Sequence, residues 1–242
     1  MDYENEVAKR VQWIKDVLGS AHAKGIVLGM SGGKDCALVA ILSKMATPNV
    51  VGIIMPIESS RNYKEDRDDA FTLCKQFDIE VKEVDLTDVK KLLRRTLEPL
   101  DEENPDIAYQ NINPRLRMIT LYNYGQRKGY LVAGTGNKSE RTMGYFTKWG
   151  DGAYDFNPIG DMTATEIFKM LKYLDCPQNI IDKAPSAGLY EGQTDENDFG
   201  VTYKELDTYI LTGNATDRVK EIVDKAYNRT KHKRENPRIY PN

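Results

Sequence analysis

Ser31-Gly32-Gly33-Lys34-Asp35-Cys36 is the block whose residue types most clearly suggest chemistry, and it stands between two apolar runs. Adjacent glycines let the backbone approach an anion closely, because no Cβ intervenes. Where such a block joins a strand to a helix, the free amides and the positive end of the helix dipole hold phosphate. The Ser31 hydroxyl adds a donor. Asp35 would repel phosphate directly, but it suits a Mg²⁺ ion that also carries phosphate oxygens. The block is not the P-loop of γ-phosphate-transferring enzymes. That loop needs Gly at position 28 and Ser or Thr at 35, where this chain has Leu28 and Asp35. A plain glycine turn would explain Gly32 and Gly33 but not the carboxylate at the helix start.

A second block, Gly134-Thr135-Gly136-Asn137-Lys138-Ser139-Glu140, follows another apolar run. Thr135 can contact a nucleotide, and Glu140 can give a metal its second carboxylate. Taken alone, Glu140 reads better as a solvated loop residue. A third block, Gly144-Tyr145-Phe146-Thr147-Lys148-Trp149-Gly150-Asp151-Gly152, combines a cation, aromatics and a carboxylate within nine residues.

The elements that must position these blocks follow from periodicity. Apolar residues at helical spacing predict helices over 5–18, 35–45, 63–77, 87–97 and 115–128, the last stopped by Gly129. β-Branched runs predict strands over 25–31, 50–55, 81–84 and 130–133. Alternating strands and helices, with strands apolar on both faces, imply a doubly wound parallel α/β sheet with helices on both faces. Ligands of such sheets sit at the carboxyl ends of the strands, which directs attention to residues 31–35, 55–66 and 134–140. Thr163 with Glu166 and Thr202 with Glu205 predict capping boxes at two further helix starts. Residues 184–200, polar and glycine-containing, are expected to be a functional loop.

Composition narrows the function classes. A length of 242 residues suits a single domain over 1–242. A net charge of -3 gives no basic field for a nucleic-acid backbone, and no apolar run is long enough for a membrane span. The N-terminus has no apolar signal region, and Cys36, Cys74 and Cys176 form neither a disulfide framework nor a zinc pattern, so a cytoplasmic location is expected. With only His22 and His232, a multi-histidine metal site is excluded.

The first block resembles the pyrophosphate loop of the N-type ATP pyrophosphatases, Ser-Gly-Gly-x-Asp-Ser, with Cys36 in place of the last Ser. Those enzymes cleave ATP between its α and β phosphates and adenylate a substrate oxygen. Residues 144–152 resemble the signature of the NAD synthetase branch. So do Arg115-Leu116-Arg117-Met118, Ala184 to Leu189, Gln193 to Glu196 with Gly200, and Lys231-His232-Lys233-Arg234, in the same order along the chain. The resemblance implies an adenine nucleotide alpha hydrolase-like fold and the ammonia-dependent amidation of deamido-NAD to NAD. It implies ATP contacts at Gly29, Met30, Ser31, Gly32, Gly33, Lys34, Asp35, Cys36, Thr135 and Ser186. It implies Mg²⁺ on Asp35 and Glu140, and deamido-NAD on Arg115, Lys148, Asp155, Asp198, His232 and Lys233. Asp151 would lie near the nicotinate and accept a proton from ammonium. Free ammonia is the expected nitrogen source and a homodimer the expected assembly, with no nucleic acid or membrane partner. Ala164 departs from the pattern, which has Lys there, and Lys169 and Lys172 lie further along the same helix. Another ATP pyrophosphatase branch and a nucleotide-binding module without catalysis are the rival readings. The first is disfavoured by residues 144–152, the second by the joint presence of Asp35, Glu140, Lys148 and Asp151.

Overall fold

A computed structural model describes residues 2–58, 63–100, 105–183 and 194–240. Four strands, β1 (Gly25–Gly29), β2 (Val50–Ile54), β3 (Glu80–Glu83) and β4 (Tyr130–Val132), form a parallel sheet in the order β3-β2-β1-β4. The helices before β4 are α1 (Tyr3–Ser20), α2 (Lys34–Ala46), α3 (Tyr63–Gln76), α4 (Thr87–Leu97), α5 (Pro105–Gln110) and α6 (Ile112–Lys128). After β4 come α7 (Lys138–Met143), α8 (Ala164–Tyr173), α9 (Gln178–Asp182), α10 (Asp195–Phe199), α11 (Tyr203–Thr212) and α12 (Asp217–Arg229).

Successive residues of a strand point to opposite faces, and the two cores show it. Ile26, Leu28, Val50 and Ile54 face a core built with α1, α2, α8 and α9. Val27, Val51, Ile53 and Val132 face the other, with Leu116 of α6 and Leu93 and Leu97 of α4. The sheet is therefore covered on both sides, as the strand pattern predicts. β3 departs from that expectation. It is an edge strand, and its Glu80 and Glu83 are exposed, charges that discourage pairing with another strand. α6 begins three residues before its expected start, because Pro114 falls in the first turn, where a missing amide costs little. Gly129 ends it in the left-handed conformation, as expected.

Both predicted capping boxes form, at Thr163–Glu166 and Thr202–Glu205. Between them a buried network binds the C-terminal helices together. Asp207 of α11 accepts hydrogen bonds from Ser139 of α7 and from the amide and hydroxyl of Thr165 in α8. A third core joins Met143, Ala164, Phe199, Leu206, Val219 and Val223. The expected loop over 184–200 is corrected in part. Thr194 caps a short helix, α10, since its side chain accepts from the Asn197 amide; residues 184–193 lie outside the described residues.

Two glycines hold the site blocks against their neighbours. Gly32 has φ +73°, and a Cβ there would strike the Asp66 carbonyl oxygen of α3. Gly144 has φ +68°, and a Cβ there would strike the Thr230 side chain. Gly32→Ala is expected to destabilise the protein by more than about 1 kcal/mol, because both the dihedral and the backbone contact oppose it. A urea midpoint equal to that of the unsubstituted chain would show that the loop is not pinned there.

Candidate active site

The first block sits at the carboxyl end of β1 and opens α2, as the sequence predicts. Gly33 is the N-cap of α2 and supplies no side-chain hydrogen bond to the helix. The first-turn amides of α2 therefore have no side-chain cap and suit an anion. The Cys36 thiol is buried and directed inward. It donates to the Gly33 carbonyl at 3.1 Å and lies 3.4 Å from the Ser31 hydroxyl. Cys36 thus braces the loop from beneath, where the pattern's serine would offer a hydroxyl. Met30 is also buried, so its backbone is what it can offer a ligand. Gly29 ends β1, and Thr135 stands half-buried beyond β4. Ser186 lies outside the described residues.

Asp35 and Glu140 meet at a residue to which sequence patterns alone assign no role. Asn137 is fully buried and caps α7. Its side-chain amide donates to Asp35 Oδ1 at 3.1 Å, its backbone amide donates to Glu140 Oε2 at 3.0 Å, and its Oδ1 accepts from the Glu140 amide at 2.9 Å. The signal is present as Asn-x-x-Glu, a capping box in the second block. Burial, and then the Asp35 charge, push the Glu140 carboxyl well above the usual carboxylate range. Like charges brought together in this way call for a cation. Two carboxylates from two strand ends are the hard oxygen donors a Mg²⁺ ion takes when phosphates complete its shell, so the residues present fit that ion.

The third block is held by the segment that follows α12. Lys148 Nζ donates to the His232 carbonyl at 2.7 Å, and Arg115 lies 3.4 Å from the Lys148 carbonyl. Lys233 Nζ donates to the carbonyls of Gly144 and Phe146 at 2.8 and 2.7 Å. Trp149, at φ +62° and half exposed, holds its ring under the Lys148 ammonium. A non-glycine residue held in that region marks a constrained backbone. Asp151 accepts from the Thr147 amide at 2.8 Å, and Thr147 is held in turn by Asn111 at 2.6 Å. Asp151 is exposed, and desolvation by the protein around it raises its carboxyl above the ordinary value, against the Thr147 hydrogen bond and the charges of Lys233 and Arg117.

Arg115, Lys148, Asp151, His232 and Lys233 are thus brought together. Asp198 joins them through the Tyr145 hydroxyl, at 2.6 Å. Asp155 stands apart at the end of β4, where it accepts from the Val132 amide at 2.7 Å and the Tyr122 hydroxyl at 3.3 Å. Arg117 lies near Asp151 and donates to the Met55 carbonyl just beyond β2 at 3.2 Å. It belongs to the same motif as Arg115, yet the motif alone gives it no separate role. Lys169 and Lys172 are both exposed on α8, and Ala164 is fully buried at its start.

The family model described as NAD synthase matches residues 6–238. The NH(3)-dependent NAD(+) synthetase of Carboxydothermus hydrogenoformans is 42% identical over 241 residues, covering 99% of this chain and 98% of that protein. The solved structure of NMN synthetase from Francisella tularensis superposes with a TM-score of 0.94 at 35% identity, covering 100% of this chain and 99% of that one. The solved NH3-dependent NAD synthetase from Campylobacter jejuni gives 0.81 at 30% identity, with both chains covered completely. The sheet described above is the adenine nucleotide alpha hydrolase-like fold of these synthetases. Matched along nearly its whole length, the chain belongs to the NAD synthase family.

Proposed function

We propose that this chain is a carbon–nitrogen ligase that uses ATP and ammonia to convert the nicotinate carboxylate of deamido-NAD into the amide of NAD. The observation that carries this is the near full-length match to relatives named NH(3)-dependent NAD(+) synthetases. The two blocks supply the matching chemistry, an anion-binding loop in the first and lysines with a carboxylate around the third.

A carboxylate is a poor acyl donor because its leaving group would be oxide. In the proposed reaction the nicotinate oxygen attacks the α-phosphorus of ATP, forms a mixed anhydride and releases pyrophosphate. Ammonia then attacks the carbonyl carbon, and AMP leaves with the former carboxylate oxygen. The protein's part is positioning and charge neutralisation. The α2 amides, Gly32 and Gly33 hold the polyphosphate, and Thr135 and Ser186 complete the ATP site. Asp35 and Glu140 would hold Mg²⁺, which stabilises charge on the leaving pyrophosphate. Arg115, Lys148, His232 and Lys233 hold the acceptor's phosphates, with Asp155 and Asp198 at its margins. Asp151 takes a proton from ammonium, a role its raised carboxyl pKa favours.

One observation favours a second acceptor. The solved NMN synthetase superposes more closely than the solved NAD synthetase does, 0.94 against 0.81. The same chemistry on a mononucleotide would need only the nicotinate half of the acceptor site. We further propose that residues 1–242 act as one domain in a homodimer. Val89, Leu92, Ile107 and Ile119 expose apolar side chains on α4, α5 and α6, which pack side by side, and such a patch suits a second copy. Cys36, Cys74 and Cys176 are all buried free thiols, with those of Cys74 and Cys176 pushed up to about 12 by burial. This fits a cytoplasmic enzyme, and among the described residues no helix is long and apolar enough to cross a membrane.

A mass-spectrometric assay with ATP, Mg²⁺ and ammonium, offering deamido-NAD and nicotinate mononucleotide in parallel, tests the reaction. NAD with AMP and pyrophosphate is the expected outcome; NMN as the sole amide would move the acceptor to the mononucleotide, and no amide from either would overturn the proposal. Asp151→Asn should preserve acceptor-dependent exchange of pyrophosphate into ATP while slowing amide formation about 100-fold or more, the usual range for loss of a general base. An unchanged amide rate would remove Asp151 from that step. Sedimentation should find a dimer, and Leu92→Glu with Ile119→Glu should shift it to monomer; a dimer unaffected by both would place the interface elsewhere.

A further inference from the structure

Lys34 is the variable position of the phosphate loop, and its side chain does not point to solvent. The residue is 6% exposed. Its ammonium lies 2.7 Å from Asp35 Oδ2, with the rings of Phe168 and Tyr203 5.7 and 5.4 Å away. Tyr203 in turn donates to the buried Asp195 at 2.7 Å. Phe168 stands one helical turn beyond Ala164, so Lys34 brings a positive charge to the face of α8 that Ala164 leaves uncharged.

This position conflicts with a divalent ion on the same carboxylate. Asp35 Oδ1 takes the Asn137 amide and Asp35 Oδ2 takes Lys34. Asn137 is fully buried and fixed by three hydrogen bonds within the α7 cap and the carboxylate pair. Lys34 is held by one carboxylate and two ring faces at the end of a flexible four-carbon stem. Two cations on one oxygen repel each other, so the ammonium is the group that can yield.

We propose that Lys34 is a tethered counter-cation that neutralises the Asp35–Glu140 pair before metal arrives, and that a divalent ion must displace it from Asp35. Lys34 is in this sense a positioning residue, which sets how tightly the enzyme binds metal without nucleotide. The inference rests on Asp35 and Glu140 being the metal ligands.

The test uses Mn²⁺, with free ion counted by electron paramagnetic resonance, and does not need turnover. Lys34→Met should bind Mn²⁺ at least about tenfold more tightly than the unsubstituted chain in the absence of nucleotide, because a close opposing charge is gone. It should also melt lower in EDTA and gain more from Mn²⁺. Equal or weaker Mn²⁺ binding by a folded Lys34→Met overturns the proposal. Glu140→Gln separates the two layers. If it loses Mn²⁺ while Lys34→Met changes nothing, the ligand pair stands and the Lys34 role fails. If it binds as before, the ligand assignment fails and the proposal with it. Should Lys34→Met not fold, the unsubstituted enzyme decides the question. Acetylation of Lys34 by acetic anhydride, followed by mass spectrometry, should speed up on Mn²⁺ saturation, and an unchanged rate overturns displacement.

Discussion

Two carboxylates held side by side repel each other, and the active-site end of this molecule is organised around keeping them there. Asp35 belongs to the first turn of α2, the helix after β1, and Glu140 to α7, the helix after β4, more than a hundred residues later. Asn137 joins them with one donor from its side chain and one from its backbone. The capping box is therefore more than a helix start, because the same residue that satisfies α7 fixes the spacing of the pair. A buried network of this kind is stable only when each member has a partner. Lys34 and Asn137 supply those partners.

The sheet explains why the residues converge. β1 and β4 are parallel neighbours, with Ile26 beside Leu131 and Val27 beside Val132. Turns that leave their carboxyl ends must arrive at the same place. The apolar alternation that buries both faces leaves those ends as the edge where polar groups gather. The cationic pocket is built differently. It depends on residues 144–152 and 231–234, which lie outside the sheet and hold each other mainly through backbone carbonyls.

This division governs how much can be read from sequence. The central strands, the α2 turn, the Gly129 stop and two capping boxes follow local rules of periodicity and capping, and they stand where those rules place them. β3 does not follow its expected pattern, because an edge strand answers to solvent on its open side and its charges interrupt the alternation. The Asn137 bridge is visible as Asn-x-x-Glu, yet its link to Asp35 is a tertiary fact that no local window contains. The same holds for Lys34. The resemblance implies an ATP contact for it, and only the packing of α8 and α11 shows its ammonium turned inward. Residues 144–152 and 231–234 are legible as motifs through resemblance, whereas their mutual hydrogen bonds are not.

The Lys148–His232 and Lys233–Phe146 contacts also bear on the order in which the site comes into being. During synthesis the phosphate loop and its neighbouring strand emerge first, and the carboxylate pair is complete once residue 140 has left the ribosome. The partners that hold residues 144–152 wait for residues 231–234, some ninety positions later. A nascent or C-terminally clipped chain can thus carry both carboxylates of the pair and still lack the contacts that fix the third block.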